Sequence, residues 1–201
     1  MTKPTSPVIL CIVRKEIKIM RTWITSDLHF GHTNIMKFCP QSRARYKNDV
    51  NFMNEEMVRE WNSCVQPEDT VYILGDVAFL PATKAAEYMN RCNGTKILIE
   101  GNHDRKALKD PSFRNCFAEV HKYLDITYNG HKIVMFHYPI AEWDQMHRGA
   151  LHFHGHLHGG VSGLEKYRAR DMGMDATGFI VVEMERAIND AMTGAIKGHH
   201  V

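Results

Sequence analysis

A layered α/β fold with mixed sheets is implied by three features of this chain. Short apolar strands alternate with amphipathic helices over the first hundred residues, the rhythm of successive β-α-β units. Past residue 122 the pattern changes to neighbouring strands around a tight turn. The length, 201 residues with 44% hydrophobic and 24% charged side chains, suits one domain whose core needs neither disulfides nor a structural metal. The same composition excludes disorder, collagen and a coiled coil.

Each element has its own signal. Thr22-Trp23-Ile24-Thr25 predicts a strand that stops at Ser26-Asp27. Residues 48–65 predict a helix, because Val50, Met53, Met57, Val58 and Trp61 recur with a 3.6-residue period. Residues 70–74 form the second strand and end at Gly75-Asp76. Pro81 suits the first turn of a helix reaching Cys92. Residues 95–99 form a third strand before Glu100-Gly101-Asn102-His103-Asp104. Strands at 123–128 and 132–136 flank Asn129-Gly130, the strongest short hairpin signal. Short strands follow at 151–154 and 179–184, and residues 185–196 predict a closing helix. Residues 1–19 are an extension or an added strand ahead of this pattern, and His199-His200 reads as a loose tail.

Charge and cysteine narrow the function classes. Lys plus Arg is 25 against 23 for Asp plus Glu, so no dedicated nucleic-acid-binding module is evident. The basic clusters Arg43, Arg45, Lys47 and Arg105, Lys106, Lys109 read as solvated faces. Five widely spaced cysteines without a CxxC pair predict reduced, mostly buried thiols in a cytoplasmic protein. No apolar run approaches the 18 or so residues of a membrane span, and Val8–Val13 is too short for a signal peptide.

Thirteen histidines are the unusual entry in the composition, and neutral imidazole is the commonest metal ligand. Five polar clusters follow predicted strands directly: Asp27-Leu28-His29, Gly75-Asp76, Gly101-Asn102-His103-Asp104, Phe136-His137 and Gly155-His156-Leu157-His158. Ligands of α/β sheets bind outside the strand carboxyl ends. Crowding these groups on one rim costs several kcal/mol unless they are paired or hold a cation. Residues i and i+2 of an extended segment point the same way, so D-x-H and H-x-H can each give two ligands to one ion. Mixed oxygen and nitrogen donors suit Mn²⁺, Fe²⁺, Ni²⁺ or Zn²⁺ better than Mg²⁺ alone.

With these five blocks in this order, the chain resembles the calcineurin-like metallophosphoesterase family, whose pattern is D-x-H, G-D, G-N-H-D/E, H and G-H-x-H. The segment Asp27-Leu28-His29-Phe30-Gly31-His32-Thr33-Asn34-Ile35 is similar to a compact bacterial and phage branch. The resemblance implies a four-layer α/β/β/α sandwich with two mixed β-sheets, a single domain over residues 20–198, and a two-metal centre. By motif position Asp27, His29, Asp76 and His158 would hold one ion. Asp76, Asn102, His137 and His156 would hold the other, with Asp76 bridging. Manganese is the expected metal, with iron, nickel or zinc as alternatives. The implied mechanism is in-line attack on phosphorus by a metal-bridging hydroxide. His103 would contact phosphate or protonate the leaving group, and Asp104 would orient His103, or else cap the helix that follows. Asn102, His32 and Arg105 are candidates for substrate contact, with His154 and Tyr138 behind them.

These features predict a phosphodiesterase for a small nucleotide or cyclic nucleotide. The alternatives are a phosphomonoesterase or protein phosphatase, and a metal-binding scaffold without activity, which the complete ligand set argues against. Specificity would then come from short loops on the core, or from a partner subunit in a homo-oligomer.

Overall fold

The computed structural model describes residues 20–198; the N-terminal extension and His199-His200 lie outside the described residues. The chain begins with strand β1 (Thr22–Thr25), two single-turn helices α1 (Ile35–Phe38) and α2 (Pro40–Arg43), and the long helix α3 (Val50–Cys64). It continues through β2 (Thr70–Ile73), α4 (Ala82–Arg91), β3 (Thr95–Ile99), the short helices α5 (Asp104–Ala107) and α6 (Pro111–Arg114), and β4 (Glu119–His121). Then come β5 (Tyr123–Tyr128), β6 (His131–Phe136), β7 (Leu151–His154) and β8 (Ala169–Asp171). The chain closes with α7 (Met174–Thr177), β9 (Val182–Glu183) and α8 (Met184–Ala191).

The strands build two mixed sheets. One has the order β4-β3-β2-β1-β9, parallel except for β9; the other has the order β5-β6-β7-β8, with β5 antiparallel to β6 and the rest parallel. Strand alternation sorts side chains into three buried clusters, one at each interface of a four-layer sandwich. Trp23, Val71, Ile73 and Leu98 face α3 and α4. Ile24, Leu74 and Ile99 face inward onto Ile133, Met135, Leu151 and Phe153, and α8 adds Met184, Ala187 and Ile188 to this layer. On the far side of the second sheet Val134 and Ala169 meet Trp143 and Met146.

The local signals act as their chemistry requires. Asp49 caps α3 by accepting from the backbone N–H groups of Asn51 and Phe52. Pro81 sits one position earlier than expected, at the cap of α4. Asn129 and Gly130 both have positive φ, 46° and 82°, as a two-residue hairpin turn of this sequence needs. Two expectations are corrected at the C-terminal end. Only Val182–Glu183 of the predicted strand pairs with β1; Ile180 instead receives the Thr25 hydroxyl at its carbonyl. The closing helix stops at Ala191, because the chain beyond it turns to pair Ala195 with Tyr167 and the carbonyl of Lys166. Among the described residues no helix is long and apolar enough to cross a membrane.

Candidate metal centre

The parallel strands β1, β2 and β3 end on one rim, and β6 and β7 bring the second sheet's ends to meet it. Backbone bonds bind the first two loops together: Asp27 N–H donates to Gly75, His29 to Asp76 and Phe30 to Val77. Leu28 is buried between Asp27 and His29, which turns both polar side chains to the opposite side. Asp27, His29, Asp76, His156 and His158 all hold left-handed backbone, with φ of 55°, 54°, 54°, 73° and 51°. That conformation costs an L-residue about 1–2 kcal/mol, and its concentration in one site marks a geometry held by the surrounding structure.

The side chains converge in two clusters, Asp27, His29, His158 and Asp76, His137, His156, with donor atoms within 4.8 Å of one another in each. In the first, His29 Nε2 and His158 Nε2 lie 3.7 and 3.9 Å from Asp27 Oδ1. In the second, His137 Nε2 lies 3.6 Å from Asp76 Oδ2, and Asn102 Oδ1 is 3.0 Å from His137 Nε2. His29 Nε2 is also 3.9 Å from Asp76 Oδ2, so Asp76 stands between the clusters.

These residues fit two divalent cations. The carboxylate–imidazole separations are too long for hydrogen bonds, yet the donors aim at common points. Among the described residues, Asp27 Oδ1 and both ring nitrogens of His29 are buried without a hydrogen-bond partner, an arrangement that costs stability unless a cation satisfies it. Burial holds the His29 and His156 imidazoles below their usual pKa, so they present lone pairs at neutral pH.

Outer contacts aim the ligands. His137 turns Nδ1 to the Leu74 carbonyl at 2.7 Å and Nε2 to Asp76. His158 Nδ1 meets Asp175 Oδ2 at 2.8 Å, and Asp175 is gripped in turn by Arg43 through Nε at 2.7 Å and a terminal nitrogen at 2.9 Å. Burial pushes the Asp175 carboxyl up, but the bonds from His158 and Arg43 outweigh it and hold the group well below the usual carboxylate range. Arg43 also donates to the carbonyls of Asp27 and Leu28. Its side chain is fully buried, a correction to its reading as part of a solvated basic face.

Asp104 accepts from the backbone N–H groups of Asp76, Val77 and Gly101 at 2.8, 2.9 and 2.9 Å. Its carboxylate therefore clamps the loop carrying Asp76 and does not turn to the His103 ring, nor does it cap α5, where His103 occupies the cap position. Burial pushes the Asp104 carboxyl up to about 6. His103 is 43% exposed with Nε2 3.8 Å from Asp76 Oδ2, beside the clusters and open to solvent.

Of the other candidates, His32 packs 5.3 Å from His29 and joins the wall of the site. Tyr138 reaches Asn102 Oδ1 at 3.4 Å through its hydroxyl. Arg105 is 66% exposed, pairs with Glu100 at 3.3 Å and does not line the site. His154 is buried against the Gly155 carbonyl, outside both clusters. Sequence reasoning missed Asp175, Arg43 and the aromatic pair Phe38 and Phe79, none of which stands in a recognisable motif. A cavity of about 550 Å³ opens over the site, lined by His29, Asp76, His103, His156 and His158 together with Phe38 and Phe79.

Comparison with known proteins agrees with this geometry. The sequence profile described as calcineurin-like phosphoesterase matches residues 20–160. An uncharacterized protein of Methanocaldococcus jannaschii is 33% identical over 144 residues, covering 71% of this chain and 72% of its own. The Gene 66 protein of Mycobacterium phage D29 is 26% identical over 201 residues, covering 86% of this chain and 98% of its own. Among solved structures, a protein of unknown function from Aquifex aeolicus shares the fold with a TM-score of 0.65 at 24% identity, covering 85% of this chain and 98% of that one.

Proposed function

The chain belongs to the calcineurin-like phosphoesterase family, and from that premise we propose that it hydrolyses a phosphodiester of the small-nucleotide or cyclic-nucleotide type with two divalent ions, manganese first. The observation that carries this is the pair of clusters meeting at Asp76 beneath an open cavity. Asp27, His29, Asp76 and His158 would hold one ion, and Asp76, Asn102, His137 and His156 the other. Bound there, the ions would supply a water of lowered pKa and positive charge for the phosphoryl oxygens.

The chain's own groups do the rest. His103 reaches over the cavity from the Asp76 side and would donate its proton to the leaving oxygen. The His103 backbone N–H holds Asp76 Oδ1 at 3.0 Å, which leaves Oδ2 facing His29 and His137. His32, which lines the cavity, and Asn102, whose Oδ1 lies 3.0 Å from His137 Nε2, are proposed to contact the substrate. A singly charged diester is favoured over a monoester dianion because, among the described residues, no lysine or arginine lines this cavity. The unpaired thiols Cys39, Cys64, Cys92 and Cys116 support a cytoplasmic setting.

The test is Mn²⁺-dependent hydrolysis of bis-p-nitrophenyl phosphate against p-nitrophenyl phosphate. Diester turnover should exceed monoester turnover, and Asp76→Asn should lower it by at least about 100-fold. His103→Ala should cost less with this activated leaving group than with a nucleotide diester, where general acid catalysis is worth about 10²–10⁴-fold. No turnover with any divalent metal would overturn the enzyme reading, and faster monoester hydrolysis would overturn the preference.

A further inference from the structure

The phosphate site accounts for the polar floor of the cavity but not for its apolar wall. Phe38, at the end of α1, is 70% exposed, and Phe79, beyond β2, is 38% exposed. Both line the cavity that holds the metal-site histidines. Large apolar side chains left open in a concave polar site cost solvation that a ligand can recover.

The rings are ordered with respect to each other. His32 stacks on Phe79 with centroids 4.0 Å apart and planes inclined by 12°. Phe38 meets His32 edge-on at 6.1 Å, and Phe79 continues to His103 at 4.2 Å. One wall is thus a run of four rings ending at the residue placed on the leaving oxygen. Gly159 and Gly160 line the same cavity without side chains of their own, which leaves room for a flat group. In the ring wall, His32 Nδ1 is buried without a hydrogen-bond partner among the described residues.

Resting on the phosphodiesterase reading, we propose that Phe38 and Phe79 receive a planar ring carried by the substrate, a nucleobase or an aryl ester group, stacked against the wall while its phosphate lies over Asp76. Flat rings match the stacking surface. A second copy of this chain or a flexible alkyl group would use the apolar area but not the ring order.

The test is calorimetric binding to the Mn²⁺-loaded protein, which needs no turnover. The probes are adenosine 5′-monophosphate, phenyl phosphate and ribose 5-phosphate. AMP should bind about ten-fold more tightly than ribose 5-phosphate. Phe38→Ala and Phe79→Ala should each remove most of that advantage, while Phe38→Tyr and Phe79→Trp should keep it. A gain shared by phenyl phosphate assigns the wall to any aryl ring, and a gain confined to AMP assigns it to a nucleobase. Equal binding of AMP and ribose 5-phosphate, or an AMP advantage that survives both alanine replacements, would overturn the proposal. So would a wild-type dimer that Phe38→Ala dissociates without any AMP preference. Diester turnover without a ring preference would sink this inference alone; a ring preference without turnover would sink the phosphodiesterase reading alone.

Discussion

Arg43 and Asp175 show how far a single residue's role depends on its distant partners. Arg43 is a buried cation that, among the described residues, pairs with the carboxylate of Asp175, and that carboxylate orients His158. Replacing Asp175 by Asn keeps the shape but removes the charge. We expect the affinity for Mn²⁺ to fall about 10–100-fold, as for other carboxylates that orient a metal-bound imidazole. Stability should fall by about 3–5 kcal/mol, because Arg43 is left buried without a counter-charge. Calorimetric Mn²⁺ titration and urea unfolding measure the two effects, and unchanged metal affinity would remove Asp175 from the site. Arg43→Lys should not be neutral either, since lysine lacks the planar fork that bonds Asp175 and two carbonyls together. None of this was legible locally: Arg43 stands in an Arg-rich turn that reads as surface, and its partner is 132 residues away. His152 gives a pH prediction at the same scale. Its ring is buried with Nδ1 toward the Val134 carbonyl, and Nε2 accepts from the Ile140 N–H, so only the neutral ring satisfies both contacts. Burial, with His154 nearby, lowers its pKa to about 3 from an unfolded value of 6.5. The unfolded chain therefore takes up the proton first. Stability from this group is complete above about pH 6.5 and is lost as pH falls toward 3, at up to about 1.4 kcal/mol per pH unit. Urea midpoints from pH 7 to pH 4 should fall less steeply for His152→Gln than for the wild type; parallel slopes would count against the assignment.

At the scale of elements, the three glycine-bearing loops interlock. A Cβ on Gly101 would lie 2.3 Å from Asp76 Oδ1 and 2.5 Å from the Asp76 nitrogen; one on Gly155 would lie 2.3 Å from Asp27 Oδ2 and 2.0 Å from Ser26 Oγ. Both contacts are closer than atoms can approach, so the loops reach each other only because these positions carry no side chain. Gly101→Ala should displace Asp76 and weaken both ions, whereas Gly155→Ala should displace Asp27 and weaken chiefly the ion it shares with His29 and His158. Metal content by elemental analysis should then fall toward zero in the first variant and toward one ion per chain in the second. Equal losses would show that the loops move as one body. Strands 22–25, 95–99, 123–128 and 151–154 were readable to the residue, since apolar alternation and the polar stops after it are local facts. β4 and β8 were not, because Glu119-Val120-His121 and Ala169-Arg170-Asp171 are too short to show a period and exist through pairing with β3 and β7. The metal ligands were legible as residue types at fixed spacings. The left-handed backbone that aims five of them was not, since aspartate and histidine carry no glycine-like signal for it.

For the molecule as a whole, the site is the seam between the two sheets. Asp27, Asp76 and Asn102 follow strands of the first sheet, and His137, His156 and His158 follow strands of the second. Each cluster draws ligands from both, so two ions would cross-link the sandwich at one rim while the inter-sheet apolar cluster holds its centre. Without cations, this rim gathers the buried carboxylates of Asp27 and Asp76 and leaves Asp27 Oδ1 and both ring nitrogens of His29 without a hydrogen-bond partner among the described residues. Metal binding and folding must then be linked. A cation that binds only the folded chain adds about 2.7 kcal/mol at 100 times its dissociation constant, which for a domain of this size raises the melting temperature by roughly 5–10 °C. Thermal unfolding in excess MnCl₂ against EDTA should show that rise in the wild type. Asp27→Asn should keep part of it, because the cluster around Asp76 survives, while Asp76→Asn should abolish nearly all of it, because that carboxylate stands between both clusters. If Asp27→Asn and Asp76→Asn lost the same share of the rise, Asp76 would not be the bridging residue, and two independent sites would replace the shared centre.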